Sequence, residues 1–410
     1  MLATLERGIK GGKWYSLMDK VWSQSNLESS LEQVCRNKGS AGVDGQSTEA
    51  LKLKSRAILP RIQEQLRNGQ YQPKPVKRQW IEKLGSKELR PLGIPTVQDR
   101  LVEAALRNVI EPIFEHGFAE HSYGFRPGRG AKDALRRVDQ LLKSGKTWVV
   151  DADLKGYFDS IPQDKLMEAL AEKISDGGLL DLIRRFLKQG VMESAKEWKP
   201  TEQGTPQGAV ISPLLANIYL NPLDQLLARL GWAMVRYADD FVVLCASEEE
   251  ARCVLEQIQQ WVTSAGLVLH PTKTRIVDAT QKGGFDFLGY HFERGMKWPR
   301  QKSLEKFKEN IRQKTGRTNG KSLEQIIGEV NITLRGWFGY FKHSQKSTFR
   351  DLDSWIRGRL RAILRKHHHL SGWVRMRDHK LWPNAYFAEH GLFSLATARA
   401  KASQSQCRNH

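Results

Sequence analysis

Met234-Val-Arg-Tyr-Ala-Asp-Asp-Phe-Val-Val-Leu244 sets two adjacent carboxylates, Asp239 and Asp240, between two runs of β-prone residues. Val235, Tyr237, Phe241 and Val243 read as strands on either side of a tight turn. Aspartate is an ordinary turn former, and most Asp pairs in loops do nothing more. Here the flanks are apolar and read as buried. Like charges in a poorly solvated place cost free energy unless a proton or a cation compensates. A divalent metal would do so, and oxygen ligands are those that Mg²⁺ prefers.

A third carboxylate comes from Trp148-Val-Val-Asp-Ala-Asp-Leu154. Asp151 and Asp153 are two apart, so on a strand both project from one face. Acidic residues are depleted in strand interiors, so two on one face need a reason. Antiparallel pairing of 148–154 with the 233–245 hairpin brings Asp153, Asp239 and Asp240 within reach of shared cations. Such a clamp suits in-line phosphoryl transfer, where one ion activates a hydroxyl and both neutralise developing charge.

The substrate class follows from charge. The 410 residues, enough for two or three domains, carry 65 Lys+Arg against 45 Asp+Glu, a net +20. Residues 301–380 alone hold 19 basic and 7 acidic side chains. They are interleaved with Trp337, Phe338, Tyr340, Phe341, Trp355 and Trp373, a mixture that nucleic-acid binders use. Four scattered cysteines without a CxxC pair disfavour zinc fingers and disulfide frameworks and fit a reducing compartment. Met1–Lys20 lacks the apolar core of a signal peptide, and no run approaches the ~20 apolar residues of a membrane span. A cytoplasmic protein without membrane contact is expected.

The other elements frame this centre. Helices are expected over 14–36, up to about Asn68, and over 99–114, 131–142, 163–173, 179–190 and 248–265, with a glycine-rich loop at Lys38–Gly45. A hairpin is expected over 76–95, turning at Gly85-Ser86, with Lys83 and Arg90 on either side. His121-Ser-Tyr-Gly-Phe-Arg-Pro-Gly-Arg129 is a loop before a helix start, where backbone amides with Arg126 and Arg129 suit a phosphate. Thr205–Tyr219 turns through Pro206 and Gly208 into an apolar helix, and Phe285–Phe292 alternates as a strand pair. From about Pro299 three basic helices follow, the second opening on the capping box Ser322-Leu-Glu-Gln325. After Lys366 a short, irregular tail is expected.

In order along the chain, Leu92-Gly-Ile-Pro95, Tyr123-Gly-Phe-Arg-Pro-Gly128, Asp153-Leu-Lys-Gly-Tyr-Phe-Asp159, Gln203-Gly-Thr-Pro-Gln-Gly208, Tyr237-Ala-Asp-Asp240 and Phe287-Leu-Gly289 resemble the motifs of group II intron reverse transcriptases. Leu334–Phe341 and Trp355–Leu360 resemble the maturase thumb of the same family. The resemblance implies an α+β right-hand polymerase: α/β fingers and palm, with an antiparallel palm sheet, followed by an all-α thumb. It implies a helical extension at 1–75 with a template-clasping loop, fingers and palm at 76–292, a thumb at 300–370, and a short basic tail at 371–410, as in compact class C proteins without an endonuclease domain.

Site residues carry over by position. Asp153, Asp239 and Asp240 match the metal-binding triad for two Mg²⁺ ions, with the Leu154 carbonyl as a further ligand. Phe158 matches the aromatic gate that favours dNTPs. Lys83 and Arg90 match the cations on the triphosphate, and Gln207 lies beside the nucleotide. Lys273 resembles a lysine that protonates departing pyrophosphate. Gly42, Arg126, Leu288 and Gly289 match primer or template positions. Arg335, Trp337, Arg357, Arg359 and Arg361 are the expected RNA-binding residues of the thumb. The implied partners are an RNA template with a DNA primer, dNTPs, a group II intron RNA and target DNA. Two alternatives share much of this pattern: a domesticated reverse transcriptase of phage defence or a CRISPR system, and a non-catalytic RNA-binding splicing factor.

Overall fold

A computed structural model describes residues 12–82, 89–194, 197–317, 320–370 and 376–407. The chain forms two compact units, which part between Val277 and Asp278.

In the first unit, β1 (Val76–Glu82) and β2 (Leu89–Ile94) make the expected antiparallel hairpin, with Lys77 opposite Ile94. Its turn, Gly85-Ser86, lies outside the described residues. β3 (Trp148–Asp153) is the expected acidic strand. β4 (Val191–Ser194) and β5 (Glu197–Lys199) extend the hairpin into a sheet of order β2-β1-β4-β5. These two short strands are absent from the sequence expectation. Three or four residues rich in Ser, Glu and Lys carry no periodic signal, and they exist because Val191 and Met192 pair in parallel with Val76 and Lys77.

β6 (Ala233–Tyr237), β7 (Asp240–Cys245) and β8 (Arg275–Asp278) form the second sheet, in the order β6-β7-β3-β8. β7 is central, and Phe241 through Cys245 are all buried. Such an unbroken apolar run is what a strand covered on both faces requires. The Val97–Glu115 helix is buried on nearly every side, and Ser212–Arg229 and Glu248–Ser264 add side chains to the same core. The single helix expected over 14–36 is two, Met18–Val21 and Gln24–Asn37. The amides of Leu17 and Met18 are held by the Asp176 carboxylate at 2.7 and 2.9 Å, a tertiary contact that local periodicity does not register.

The second unit opens with a three-stranded meander, β9 (Phe285–Phe287), β10 (Tyr290–Glu293) and β11 (Met296–Pro299), in the order β11-β10-β9. Three helices follow at Gln301–Lys314, Leu323–Phe341 and Lys346–His367. The Ser322/Gln325 capping box forms as expected. Phe307, Ile326, Val330, Leu334, Phe349, Ile356 and Leu360 make the core.

The expected irregular tail is corrected. Residues 376–407 form three helices, Met376–Leu381, Asn384–Glu389 and Leu395–Cys407, and bury Trp382, Phe387 and Leu395 in this core. Asp353 fixes the start of the last one by accepting from Ser394 Oγ and from the amides of Leu395 and Ala396. The first two helices are six residues each, too short to show periodicity, so their stability is tertiary.

Candidate active site

β6 and β7 are joined by two residues, Ala238 and Asp239, and Tyr237 pairs with Asp240. Ala238 adopts a left-handed backbone, φ +61°, which costs an L residue about 1–2 kcal/mol. β3 runs antiparallel to β7 with Asp153 directly opposite Asp240, the pairing expected from sequence. Asp239, next to Asp240, is half-buried. Burial and the nearby Asp153 charge push its carboxyl above the usual range, against the opposing pull of Arg90 and Arg236. Lys273 Nζ lies 2.7 Å from Asp153 Oδ2, which puts this lysine at the carboxylates. Both groups are partly exposed, so the pair contributes little to stability. Asp151, left out of the expected triad, meets Arg275 Nε at 3.3 Å.

Among the described residues no three His, Cys, Asp or Glu side chains enclose an ion unaided. Mg²⁺ in phosphoryl-transfer sites is held by one or two carboxylates plus substrate phosphates. An in-register carboxylate pair with a third beside it is a donor set that fits this arrangement. The Leu154 carbonyl, a candidate ligand, lies between the two backbone bonds that tie this segment to 268–270, made by the Asp153 carbonyl and the Lys155 amide.

The residues expected on the nucleotide side converge through one loop. The amides of Gly204 and Thr205 donate to the carbonyls of Ile161 and Phe158 at 2.8 and 2.7 Å. Gln207 Nε2 donates to Asp159 Oδ2 at 3.0 Å, and the Gln207 carbonyl accepts from the Gly93 amide at 2.6 Å. Phe158, Gln207 and β2 are thereby brought together. The charge of Arg90, on β2, reaches both Asp159 and Asp239. Lys83 lies outside the described residues.

Two groups that sequence reading missed support this site. Arg236, 1% exposed, sends Nε and Nη2 to the two oxygens of buried Asp224 at 2.7 and 2.5 Å. Its Nη1 donates to Asn217 Oδ1 and to the Ala238 carbonyl, each at 2.9 Å. An arginine inside an otherwise apolar strand was the available signal, since buried charges are nearly always paired. The second is Glu103, fully buried in the Val97–Glu115 helix, whose Oε2 accepts the Val210 amide at 2.5 Å.

The 121–129 loop backs the Ala238–Asp239 turn. Tyr123 N donates to Arg236 O, Arg236 N donates to His121 O, and Asn217 Nδ2 donates to Gly124 O. A Cβ on Gly124 would stand 2.3 Å from the Ala238 nitrogen, so only glycine fits. The expected phosphate role of Arg126 is corrected. Its guanidinium is buried, pairs with Glu115 at 2.6 Å, donates to the carbonyls of Ala119 and Ser122, and lies over Phe118. All its donors face the protein because the loop needs them to close. Gly42 also has a packing cause: a Cβ there would meet the backbone of Thr96 at 2.7 Å.

In the second unit, Leu288 and Gly289 form the β9–β10 turn with φ +47° and +83°. Tyr340 donates its hydroxyl to the Leu288 carbonyl at 2.7 Å. Arg335 is exposed, and Arg357 is half-buried. Arg359 lies over Trp355 and donates from Nε to Thr315 Oγ1. Two expected RNA-binding residues are corrected. Trp337 packs among Phe307, Phe341 and Phe349. Arg361, 2% exposed, donates to the Trp382 carbonyl and to Asn384 Oδ1. Arg361 is used inside the unit because the folded tail meets its helix face, and Trp337 because the neighbouring helices pack on it.

Residues 76–292 match the family model described as reverse transcriptase (RNA-dependent DNA polymerase). The chain belongs to the reverse transcriptases. Residues 304–382 match a second model, the group II intron maturase-specific domain, so this reverse transcriptase is of the intron-encoded, maturase-bearing kind. It is 35% identical to Protein YkfC of Escherichia coli over 71% of this chain and 85% of that protein. It is 42% identical to the group II intron-encoded protein LtrA of Lactococcus lactis over 46% of this chain and 30% of that protein. Among solved structures, a chain of a partial Cas6-RT-Cas1–Cas2 complex is similar at 24% identity and a TM-score of 0.39, covering 61% of this chain and 41% of that one. The reverse transcriptase match extends past Val277, where the first compact unit ends, and takes in β9 and most of β10. No described helix is long and apolar enough to cross a membrane.

Proposed function

We propose that this reverse transcriptase copies an RNA template from a DNA primer at Asp153, Asp239 and Asp240, using two Mg²⁺ ions. When bound, divalent cations acidify the primer 3′-hydroxyl and neutralise charge on the triphosphate. The chain's own residues do the positioning. The in-register Asp153/Asp240 pair fixes the spacing of the carboxylates, and Asp239 projects from the strained turn beside them. Arg90, with Lys83, draws the triphosphate inward. Phe158 closes the sugar side with a flat apolar face that has no partner for a 2′-hydroxyl. Gln207, tied to Asp159, lines the base side. Lys273, already at Asp153, is placed to give a proton to the leaving pyrophosphate.

The second unit holds RNA. Its polyanionic partner is the group II intron RNA, whose splicing the protein assists by stabilising the folded RNA, and whose mobility into target DNA it serves. It does this in the bacterial cytoplasm. The Asp153/Asp240 register carries the polymerase reading. Asp239→Ala with Asp240→Ala is expected to abolish primer extension on an RNA template while leaving intron-RNA binding within about 3-fold of wild type, since side chains that share no partners act nearly independently. Undiminished extension by the double variant would sink the assignment.

A further inference from the structure

We propose that Arg236 is a positioning residue for the catalytic turn, acting through the buried network of Asp224, Asn217, Gly124 and Ala238. The inference rests on the reading of Asp239 and Asp240 as catalytic carboxylates. The turn does not hold itself. Two-residue hairpin loops of this kind usually place glycine where the backbone goes left-handed, and here the position is Ala238, at φ +61°. A strained backbone persists only where its surroundings over-determine it.

Three contacts do so, and each leads to Arg236. Its Nη1 donates to the Ala238 carbonyl, at the strained residue. Gly124 packs against the Ala238 nitrogen from outside the sheet, and Asn217 holds the Gly124 carbonyl with Nδ2 while Oδ1 accepts from Arg236. The bidentate pair with Asp224 fixes the guanidinium plane, and with it the direction of Nη1. The backbone of Arg236 also exchanges hydrogen bonds with the 121–123 loop, so one residue clamps both chain segments that approach the turn.

Burying such a pair gives little net stability compared with apolar side chains of the same volume. Its value lies in geometry. Removing it displaces Asp239 and Asp240 relative to Asp153 without touching template, primer or nucleotide.

The test compares wild type, Arg236→Lys and Asn217→Ala. Lysine keeps the charge and one or two of the four contacts. Asn217→Ala leaves the ion pair with Asp224 whole and cuts the tie to Gly124 together with one of the two Arg236 Nη1 bonds. For each, kcat and KM for dNTP come from primer extension, intron-RNA affinity from filter binding, and folding from thermal melting. Mn²⁺ binding without nucleotide is followed by its EPR signal. Misplacing reacting groups by about 1 Å costs on the order of 10²-fold. A fall in kcat of ~10–100-fold is therefore expected for Arg236→Lys and a smaller fall for Asn217→Ala, with weaker Mn²⁺ binding. KM for dNTP and RNA affinity are expected to stay near wild type, while melting falls modestly with the buried hydrogen bonds that are lost.

The proposal is overturned if both variants keep wild-type kcat and Mn²⁺ affinity. It is also overturned if kcat, RNA affinity and melting fall together, which marks a merely structural role. If Arg236→Lys fails to fold, Asn217→Ala decides on the same criteria. Failure of this test leaves the carboxylate assignment standing, because that rests on the Asp239/Asp240 double variant alone.

Discussion

Glu103→Gln should change how stability depends on pH, and the structure sets the size of the effect. Glu103 is completely buried, with the Val210 amide on one oxygen and no partner for the other among the described residues. Burial pushes its carboxyl from 4.5 up to about 8. Asp99 adds to the rise, while the Val210 and Ile211 amides and Arg100 oppose it. Between these two values the unfolded chain has lost the proton and the folded chain has kept it. Each pH unit in that window therefore removes about 1.4 kcal/mol of stability, or roughly 3 kcal/mol from pH 6 to pH 8. The contribution is fully present below 4.5, declines as pH rises, and levels off above about 8.

Glutamine keeps an oxygen for the Val210 amide and does not titrate. The first unit of the variant should gain on wild type steadily over this range and be the more stable of the two at pH 8.5. Urea unfolding followed by tryptophan fluorescence, at half-unit steps from pH 5 to 9, measures the difference between the two proteins. Parallel stability curves would refute the reasoning, because they would show that Glu103 does not hold a proton that the unfolded chain gives up.

Phe158→Ala should admit ribonucleotides. Loss of one apolar wall is worth about 1–3 kcal/mol of discrimination, so the dNTP over rNTP preference in kcat/KM should drop at least ~10-fold, and an unchanged ratio counts against the gate. Arg361→Ala should destabilise the second unit by about 1–3 kcal/mol, because it strips the buried Trp382 carbonyl of its donor and loses the bond to Asn384. Arg335→Ala, on the exposed side, should shift stability by less than ~0.5 kcal/mol. It should instead weaken intron-RNA binding and flatten its salt dependence, and the reverse pattern would restore Arg361 as an RNA contact.

The palm was legible because each of its determinants is local: the apolar runs around Asp239, the alternation of Asp151 and Asp153, and the turn between β6 and β7 are each written in a few consecutive residues. The family motifs also marked Phe158 and Gln207, which the structure does bring to one loop. What stayed hidden depends on partners distant in sequence. β4 and β5 are strands only because β1 lies beside them. Arg126 and Arg361 look like surface cations in sequence, since nothing near them foretells Glu115 at the end of a helix or Asn384 in a folded tail. Glu103 reads as one more acidic position on an amphipathic helix until the 205–211 loop is seen to cover it.

The register between β3 and β7 also carries a lesson in tolerance to error. Asp153 stands opposite Asp240, and Asp151 stands opposite Val242. A slip of one residue would turn every β3 side chain to the other face, leaving Ala152 or Leu154 where a carboxylate belongs. A slip of two would bring Asp151 opposite Asp240 and restore an acid at that station. Asp-Ala-Asp is thus forgiving of a two-residue slip toward Asp151, and not of odd slips or of one toward Lys155. Single-residue insertions or deletions in 148–152 should silence the enzyme, as should a two-residue deletion, which brings Lys155 opposite Asp240, whereas a two-residue insertion ahead of Asp151 leaves a carboxylate there.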